Sequence, residues 1–319
     1  MTAIQTERII GRYTGQKRGP LVVAFGGLHG NEPAGIRALE MVFRMLKLEP
    51  RHNPGFTFRG RLVGIAGNLP ALARGDRYLE KDLNRQFTPE HVARVRAPPY
   101  QQLTGEDREL RTLMELVYEE IDDYQPRELI VLDLHTTTAD GGIFVIATDD
   151  PRSLTLARRM YAPVITGMLN GIAGTTLHYF NDQNLPLPTV AVTFEGGQHD
   201  DLLSVRRCIA ATINLLRSAG MVRPQDVENR HDDLLLNYSK NLPHIADLIR
   251  VHRITPQDEF RMEPGYRNFQ PVKAGELLAH DRHGPIYAEQ DCRILMPLYQ
   301  ARGDDGFFLI REVENGVTF

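Results

Sequence analysis

The sequence predicts an α/β fold, with a central sheet flanked by helices and a smaller C-terminal β-rich domain. Three observations carry that prediction. Short continuous apolar runs at 21–25, 129–134 and 189–194 read as strands covered on both faces. Segments with helical spacing lie between and after them, over 32–46, 106–124, 153–168 and 201–218. From about residue 226 the helical periods thin out and short apolar pieces alternate with turns. A chain of 319 residues is long enough for a large core and a second domain. The expected division is 1–225 for the larger domain and 226–319 for the β-rich one.

The first strand, 21–25, stops at Gly26-Gly27, and His29 and Glu32 follow. Pro33 suits the first turn of a helix, where its missing N–H costs nothing. Ala34, Leu39, Met41, Val42 and Met45 give that helix an apolar side. His29 and Glu32 therefore sit where a strand's carboxyl end meets a helix amino end, the edge at which open α/β sheets bind ligands. Together they read as half of a metal site, because hydrolytic zinc takes three protein ligands and keeps a position for water. In the competing reading His29 satisfies backbone and Glu32 is a first-turn acid favoured by the helix dipole.

A second core strand spans 61–67 and ends in a turn signal, Asn68-Leu69-Pro70. Residues 74–87 are polar and arginine-rich, which predicts a surface loop, the usual place for binding groups. In it Arg77 and Arg85 offer bidentate guanidinium forks to a carboxylate, unless they simply pair with Asp76, Glu80 and Asp82. Residues 88–105 hold Pro89, Pro98, Pro99 and Gly105 without a clear period, and read as a lid or a long connection. In the helix at 106–124, Asp107, Glu109, Glu115, Glu119, Glu120, Asp122 and Asp123 look like a solvated face.

The strand at 129–135 delivers Asp133 and His135 at its carboxyl end, and strand alternation puts them on one face. His135 supplies the third ligand that His29 and Glu32 lack. Asp133 then orients an imidazole through its other nitrogen; the competing reading is an Asp–His hydrogen bond at a sheet edge. Another strand is expected at 142–147, then a helix over 153–168. The strand at 189–195 presents Glu195 beside Gly196-Gly197, where a partly buried carboxylate serves as general base for an activated water, or as an acid at the next helix's amino end. Three core strands thus end in ligand-type chemistry, which favours a zinc site over coincidence.

The formal net charge is −4 and no long basic run occurs, which argues against nucleic acid or anionic membranes as partners. No apolar stretch approaches a membrane span. Residues 1–20 scatter Arg8, Arg12, Lys17 and Arg18 among polar groups without an apolar signal core, so export is not expected. Cys208 and Cys292 read as reduced thiols of a cytoplasmic protein. His280, His283 and Cys292 share no spacing with the zinc set.

Four ordered segments, Gly27-Leu28-His29-Gly30-Asn31-Glu32, Asp82-Leu83-Asn84-Arg85, Asp133-Leu134-His135-Thr136-Thr137 and Phe194-Glu195-Gly196-Gly197, give the chain its resemblance to a known family. It resembles the succinylglutamate desuccinylase/aspartoacylase family, a branch of the zinc carboxypeptidase-like hydrolases. The likeness covers most of the chain, including the run from Glu263 through Val272 to Asp281. It implies a mixed central sheet, one zinc ion on His29, Glu32 and His135, and water activation by Glu195. It further implies that Arg77 polarises the scissile carbonyl, that Asn84 and Arg85 grip a substrate carboxylate, and that the β-rich domain narrows the cleft. The implied activity is cleavage of the amide bond of a small-molecule N-acyl amino acid, with homo-oligomerisation left open. Two departures bear on the substrate. The arginine that in aspartoacylases holds a second carboxylate falls near Leu185, and no arginine lies between Arg159 and Arg206. A family tyrosine falls at Gly306-Phe307-Phe308. The expected substrate is therefore not N-acetylaspartate but one with a single essential carboxylate, because a second buried carboxylate would be left unpaired. The alternatives are a zinc carboxypeptidase acting on a short peptide and a non-catalytic zinc-dependent ligand sensor.

Overall fold

The computed structural model describes residues 7–227 and 230–313. The first third contains β1 (Ile9–Thr14), β2 (Lys17–Gly26), α1 (Ala34–His52), β3 (Arg59–Ala66), α2 (Leu69–Arg74), α3 (Pro89–Arg96) and α4 (Gly105–Tyr124). Then come β4 (Leu129–Thr137), β5 (Phe144–Ala147), α5 (Pro151–Arg158), β6 (Val164–Thr166), α6 (Met168–Gly171), α7 (Thr176–Tyr179), β7 (Thr189–Gln198) and α8 (Leu203–Ser218). The remainder holds α9 (Arg230–Ser239), β8 (Ile245–Arg253), β9 (Arg261–Met262), β10 (Pro271–Val272), β11 (Leu277–Asp281), β12 (Gly284–Tyr287), β13 (Cys292–Leu295) and β14 (Asp305–Glu312).

An 11-stranded mixed sheet runs β1-β3-β2-β4-β7-β5-β6-β8-β14-β13-β10, with helices on its faces. β3, β2, β4 and β7 are mutually parallel, so β2, β4 and β7 end at one edge. Their sequences are near-continuous apolar runs because both faces are covered. Leu21, Val23 and Phe25 join one core cluster with α4, through Leu110, Leu113 and Val117. Val22 and Ala24 join the other with α1 and α8, through Leu39, Val42, Ala211 and Leu215. β5 runs antiparallel to β7, which makes the sheet mixed. Within the segment expected to be β-rich, β8, β14, β13 and β10 continue the central sheet from β6, while β9, β11 and β12 form a separate antiparallel sheet. A third cluster, including Val272, Leu278, Ile294 and Phe307, packs there.

Several local expectations are corrected. α1 runs on to His52, beyond the expected end at 46. The turn signal at 68–70 opens α2 instead, with the Asn68 side chain accepting from the Ala71 N–H. The segment 88–105 is not structureless: Thr88 caps α3 by accepting from the His91 N–H, and Val92 and Val95 bury one side of it. The helix expected over 153–168 divides into α5, β6 and α6. Pro163 cannot continue a helix, and the β-branched Val164 and Ile165 pair with β5 and β8 instead. α4's acids are not all solvated. Glu109 is buried on Arg8, and Glu120 on Arg12 and Arg61. Buried carboxylates need such partners. Where helical periods were expected to thin out, one helix, α9, remains before the strands begin. Among the described residues no helix is long and apolar enough to cross a membrane.

Candidate active site

Sharp turns at the shared edge of β2, β4 and β7 aim side chains into one cleft. After β2 the chain turns at Gly27, whose φ of +72° lies in the left-handed region; a Cβ there would also stand 2.8 Å from Ile36. The turn carries His29, and the Glu32 N–H returns to the His29 carbonyl at 3.1 Å. His135 stands near the end of β4, with Glu195 as its register partner on the parallel β7. The sheet thus places residues from distant parts of the sequence side by side.

His29, Glu32 and His135 are all buried, and one ligand atom from each lies within 4.8 Å of the others. His29 Nδ1 is 2.8 Å from Glu32 Oε1, and His135 Nδ1 is 3.0 Å from Glu32 Oε2. The same Glu32 oxygen accepts from the Thr136 N–H at 2.9 Å. Both Nδ1 atoms therefore face one carboxylate. Both Nε2 atoms face away toward other carboxylates, His29 toward Asp82 at 3.1 Å and His135 toward Asp133 at 3.0 Å. Two imidazoles and a carboxylate, each imidazole backed by an acid, form the donor set that divalent zinc favours. These residues could hold such an ion.

Electrostatics follow from burial and pairing. Burial alone would raise the Glu32 carboxyl, but His29 and His135 outweigh it and hold it well below the ordinary carboxylate range. Asp82 is likewise depressed against its own burial, chiefly by Arg77 and then His29. Burial opposes charge on His135, yet Asp133 and Glu32 hold its imidazolium well above the ordinary value. Glu195 behaves differently. Burial pushes its carboxyl up to about 8, with His135 opposing the rise and Glu32 adding to it. Its Oε2 is buried and has no hydrogen-bond partner among the described residues.

The arginine-rich loop closes one side of the cleft. Arg77 donates to Asp82 Oδ2 from Nε at 3.2 Å and from Nη2 at 2.9 Å, and its Nη1 lies 3.6 Å from Glu32. Asn84 Nδ2 is 3.3 Å from His135 Nε2, and its Oδ1 accepts from the Thr176 N–H at 3.1 Å. Arg85 donates to Asp305 at 2.7 Å, which ties the loop to β14. The candidates His29, Glu32, Arg77, Asn84, Arg85, His135 and Glu195 thus line one cleft of about 820 Å³, open mouth included, and Asp133 lies behind His135.

Other participants were not legible. Asp82 reads in sequence as a surface partner for arginine but lies behind His29. Thr176 donates to Asp133 Oδ2 at 2.7 Å from a distant helix. Asp305, in the cleft wall, also accepts from Arg253 at 2.6 Å. His199 lines the cleft four positions after Glu195, a spacing that carries no recognised signal. Its Nδ1 is 2.7 Å from Thr136 Oγ1, while its buried Nε2 has no partner among the described residues. His280 lies elsewhere, against Glu263.

Comparison with known proteins adds an independent line. Residues 18–212 match the family model of the succinylglutamate desuccinylase/aspartoacylase catalytic domain. A probable aspartoacylase from Nostoc sp. is 25% identical over 298 residues, covering 87% of this chain and 90% of that protein. A succinylglutamate desuccinylase from Pseudomonas aeruginosa is 26% identical over 289 residues, covering 85% and 77%. The crystal structure of a succinylglutamate desuccinylase/aspartoacylase from Rhodobacter sphaeroides superposes with a TM-score of 0.64 at 18% identity, covering 94% of this chain and 87% of that one.

Proposed function

Because this chain belongs to the succinylglutamate desuccinylase/aspartoacylase family of hydrolases, we propose that it is a zinc-dependent amidohydrolase cleaving the acyl–nitrogen bond of an N-acyl amino acid. The observation that carries this reading is the shared orientation of the His29 and His135 Nδ1 atoms toward Glu32, with Glu195 beside His135. In this reading His29, Glu32 and His135 hold one zinc ion. Bound there, zinc supplies Lewis-acid polarisation of the scissile carbonyl and lowers the pKa of water to about 7.

The chain's own groups do the rest. Glu195 takes a proton from the attacking water as its oxygen bonds the carbonyl carbon. It then gives that proton to the nitrogen as the C–N bond breaks, releasing a carboxylate and an amine. Its buried, unpartnered Oε2 is suited to that exchange, because no protein donor competes for it. Arg77 sits beside Glu32 and stabilises negative charge on the carbonyl oxygen. Asn84 and Arg85 hold the substrate carboxylate and so fix the scissile bond for attack. Asp82 and Asp133 position the two imidazoles through their Nε2 atoms. Residues from 226 onward act as the unit that narrows the cleft, since Met296, Gln300 and Asp305 line it.

The test is release of free amino acid from a panel of N-acyl amino acids by purified protein of measured zinc content, with short peptides in parallel. The reading requires zinc near one per chain and hydrolysis of the acyl amino acids. Peptide cleavage alone would select the carboxypeptidase alternative. Tight ligand binding without turnover of any compound would select the sensor.

A further inference from the structure

Apolar side chains form part of the wall of the cleft that holds Glu195, and we propose that they make a pocket that selects N-acyl amino acids whose side chain, next to the single carboxylate, is apolar. The inference rests on the deacylase reading and adds the substrate class to it.

The pocket's position comes from strand register. Thr193 precedes Glu195 by two residues on β7 and lines the same cleft, and its partner across to β5 is Ile146. The apolar wall therefore begins about 7 Å along the sheet from Glu195. Ile146, Met168, Ile172, Leu177, Met296 and Phe308 form it. All six pack with one core cluster, so the wall is backed by close-packed side chains. Such a wall is preformed, as small-molecule sites commonly are.

Met296 adds a second observation. Its φ is +48°, a left-handed conformation that a bulky side chain rarely adopts. The buried Asn268 holds it there: Oδ1 accepts from the Met296 N–H at 2.7 Å, and Nδ2 donates to Thr137 Oγ1 and to the Ala139 carbonyl, each at 3.1 Å. Backbone in sparse regions persists where surrounding structure over-determines it, and such sites cluster at ligand clamps. This brace sets the thioether in the pocket wall.

Charge excludes the acidic alternative. Among the described residues lining the cleft, Arg77 and Arg85 are the only arginines or lysines. Each already faces carboxylates of the chain, Arg77 those of Asp82 and Glu32, Arg85 that of Asp305. Glu32, Glu195, Asp304 and Asp305 line the same space. A substrate's first carboxylate can share Arg85 with Asn84. A second one, seated against Ile146 and Leu177, would meet no cation and lose its water.

The test compares kcat/KM of the zinc-loaded protein for N-acetyl-L-methionine, N-acetyl-L-leucine, N-acetyl-L-aspartate and N-succinyl-L-glutamate. Calorimetry of free L-methionine and L-aspartate binding accompanies it. The expected result is a kcat/KM at least about 100-fold higher for the methionine and leucine compounds than for the acidic ones, with methionine bound more tightly than aspartate. Leu169, half-buried at the pocket, provides the variant: Leu169→Arg should cut that ratio below about 10-fold, with its folding checked by thermal melting. Acidic substrates turned over as fast as the apolar ones overturn the pocket proposal and leave the deacylase reading intact. Hydrolysis of none of the four, with methionine still preferred over aspartate, removes the deacylase reading and leaves the pocket's selectivity standing. Equal binding of the two amino acids overturns the selectivity directly.

Discussion

Glu195 concentrates the conflict between stability and chemistry in this molecule. It is buried beside two other carboxylates of the site, and its own carboxyl is pushed up to about 8. In an unfolded chain the same group ionises near 4.5. Between those values the folded, metal-free protein retains a proton that the unfolded chain has lost, so this group makes stability fall as pH rises from about 4.5 to about 8. Glu195→Gln removes that fall. The metal-free variant should therefore melt higher than the wild type at pH 8, with the difference shrinking toward pH 5, as read by calorimetric scans across that range. In the zinc-loaded protein the same change should lower kcat by about 10²–10⁴-fold if the carboxylate moves protons, with zinc content unchanged. His29 and His135 make a different prediction. Asp82→Asn and Asp133→Asn, which alter the acids behind them, should each weaken zinc affinity by about 10–100-fold in chelator competition.

Loop and helix explain how an arginine-rich stretch becomes part of a site. Glu106, in the first turn of α4, is buried and accepts from the Leu79, Glu80 and Lys81 N–H groups at 2.6–3.2 Å, and from Asn68 Nδ2 at 2.9 Å. It thereby fixes the backbone between Arg77 and Asp82. Burial would raise its carboxyl, but those donors hold it below 4.5. The sign follows: its contribution is complete above about 4.5 and is lost as pH falls through the lower folded value. Glu106→Gln should cost about 1–3 kcal/mol at pH 7 in denaturant melts and less at pH 3, because it replaces an acceptor in a buried network. Element by element, the sequence was legible where one local rule governs. β2, β4 and β7 stand out because buried parallel strands are apolar on both faces. The segment 153–168 was misread because its apolar spacing fits a helix until Pro163 and the pairing of Val164–Thr166 decide otherwise. Glu119, Asp122 and Asp123 are exposed as expected, but Glu109 and Glu120 are buried, which local sequence does not show because Arg8, Arg12 and Arg61, their partners, are remote in sequence. His199 and Asp305 carry no local signal either; only the fold brings them to the cleft.

At the scale of the whole molecule, one sheet joins the edge that bears His135 and Glu195 to C-terminal strands whose residues Asp305 and Phe308 line the cleft. Asp305 is the tie, accepting from Arg85 of the loop and Arg253 of β8. Asp305→Asn removes the carboxylate that positions Arg85 in the cleft, so KM should rise more than kcat falls, together with a lower melting temperature. The opposite pattern, an unchanged KM, would show that Arg85 does not meet the substrate. The catalytic and zinc-affinity outcomes depend on a single divalent ion being held where the two Nδ1 atoms and Glu32 face one another. Anomalous scattering at the zinc edge from crystals of the zinc-loaded protein measures that most directly. The expected result is one peak about 2.0–2.2 Å from His29 Nδ1, His135 Nδ1 and a Glu32 oxygen, with the Glu195 carboxylate facing a side of the ion that no protein atom fills. A peak elsewhere, or a fourth protein ligand closing that side, would contradict it.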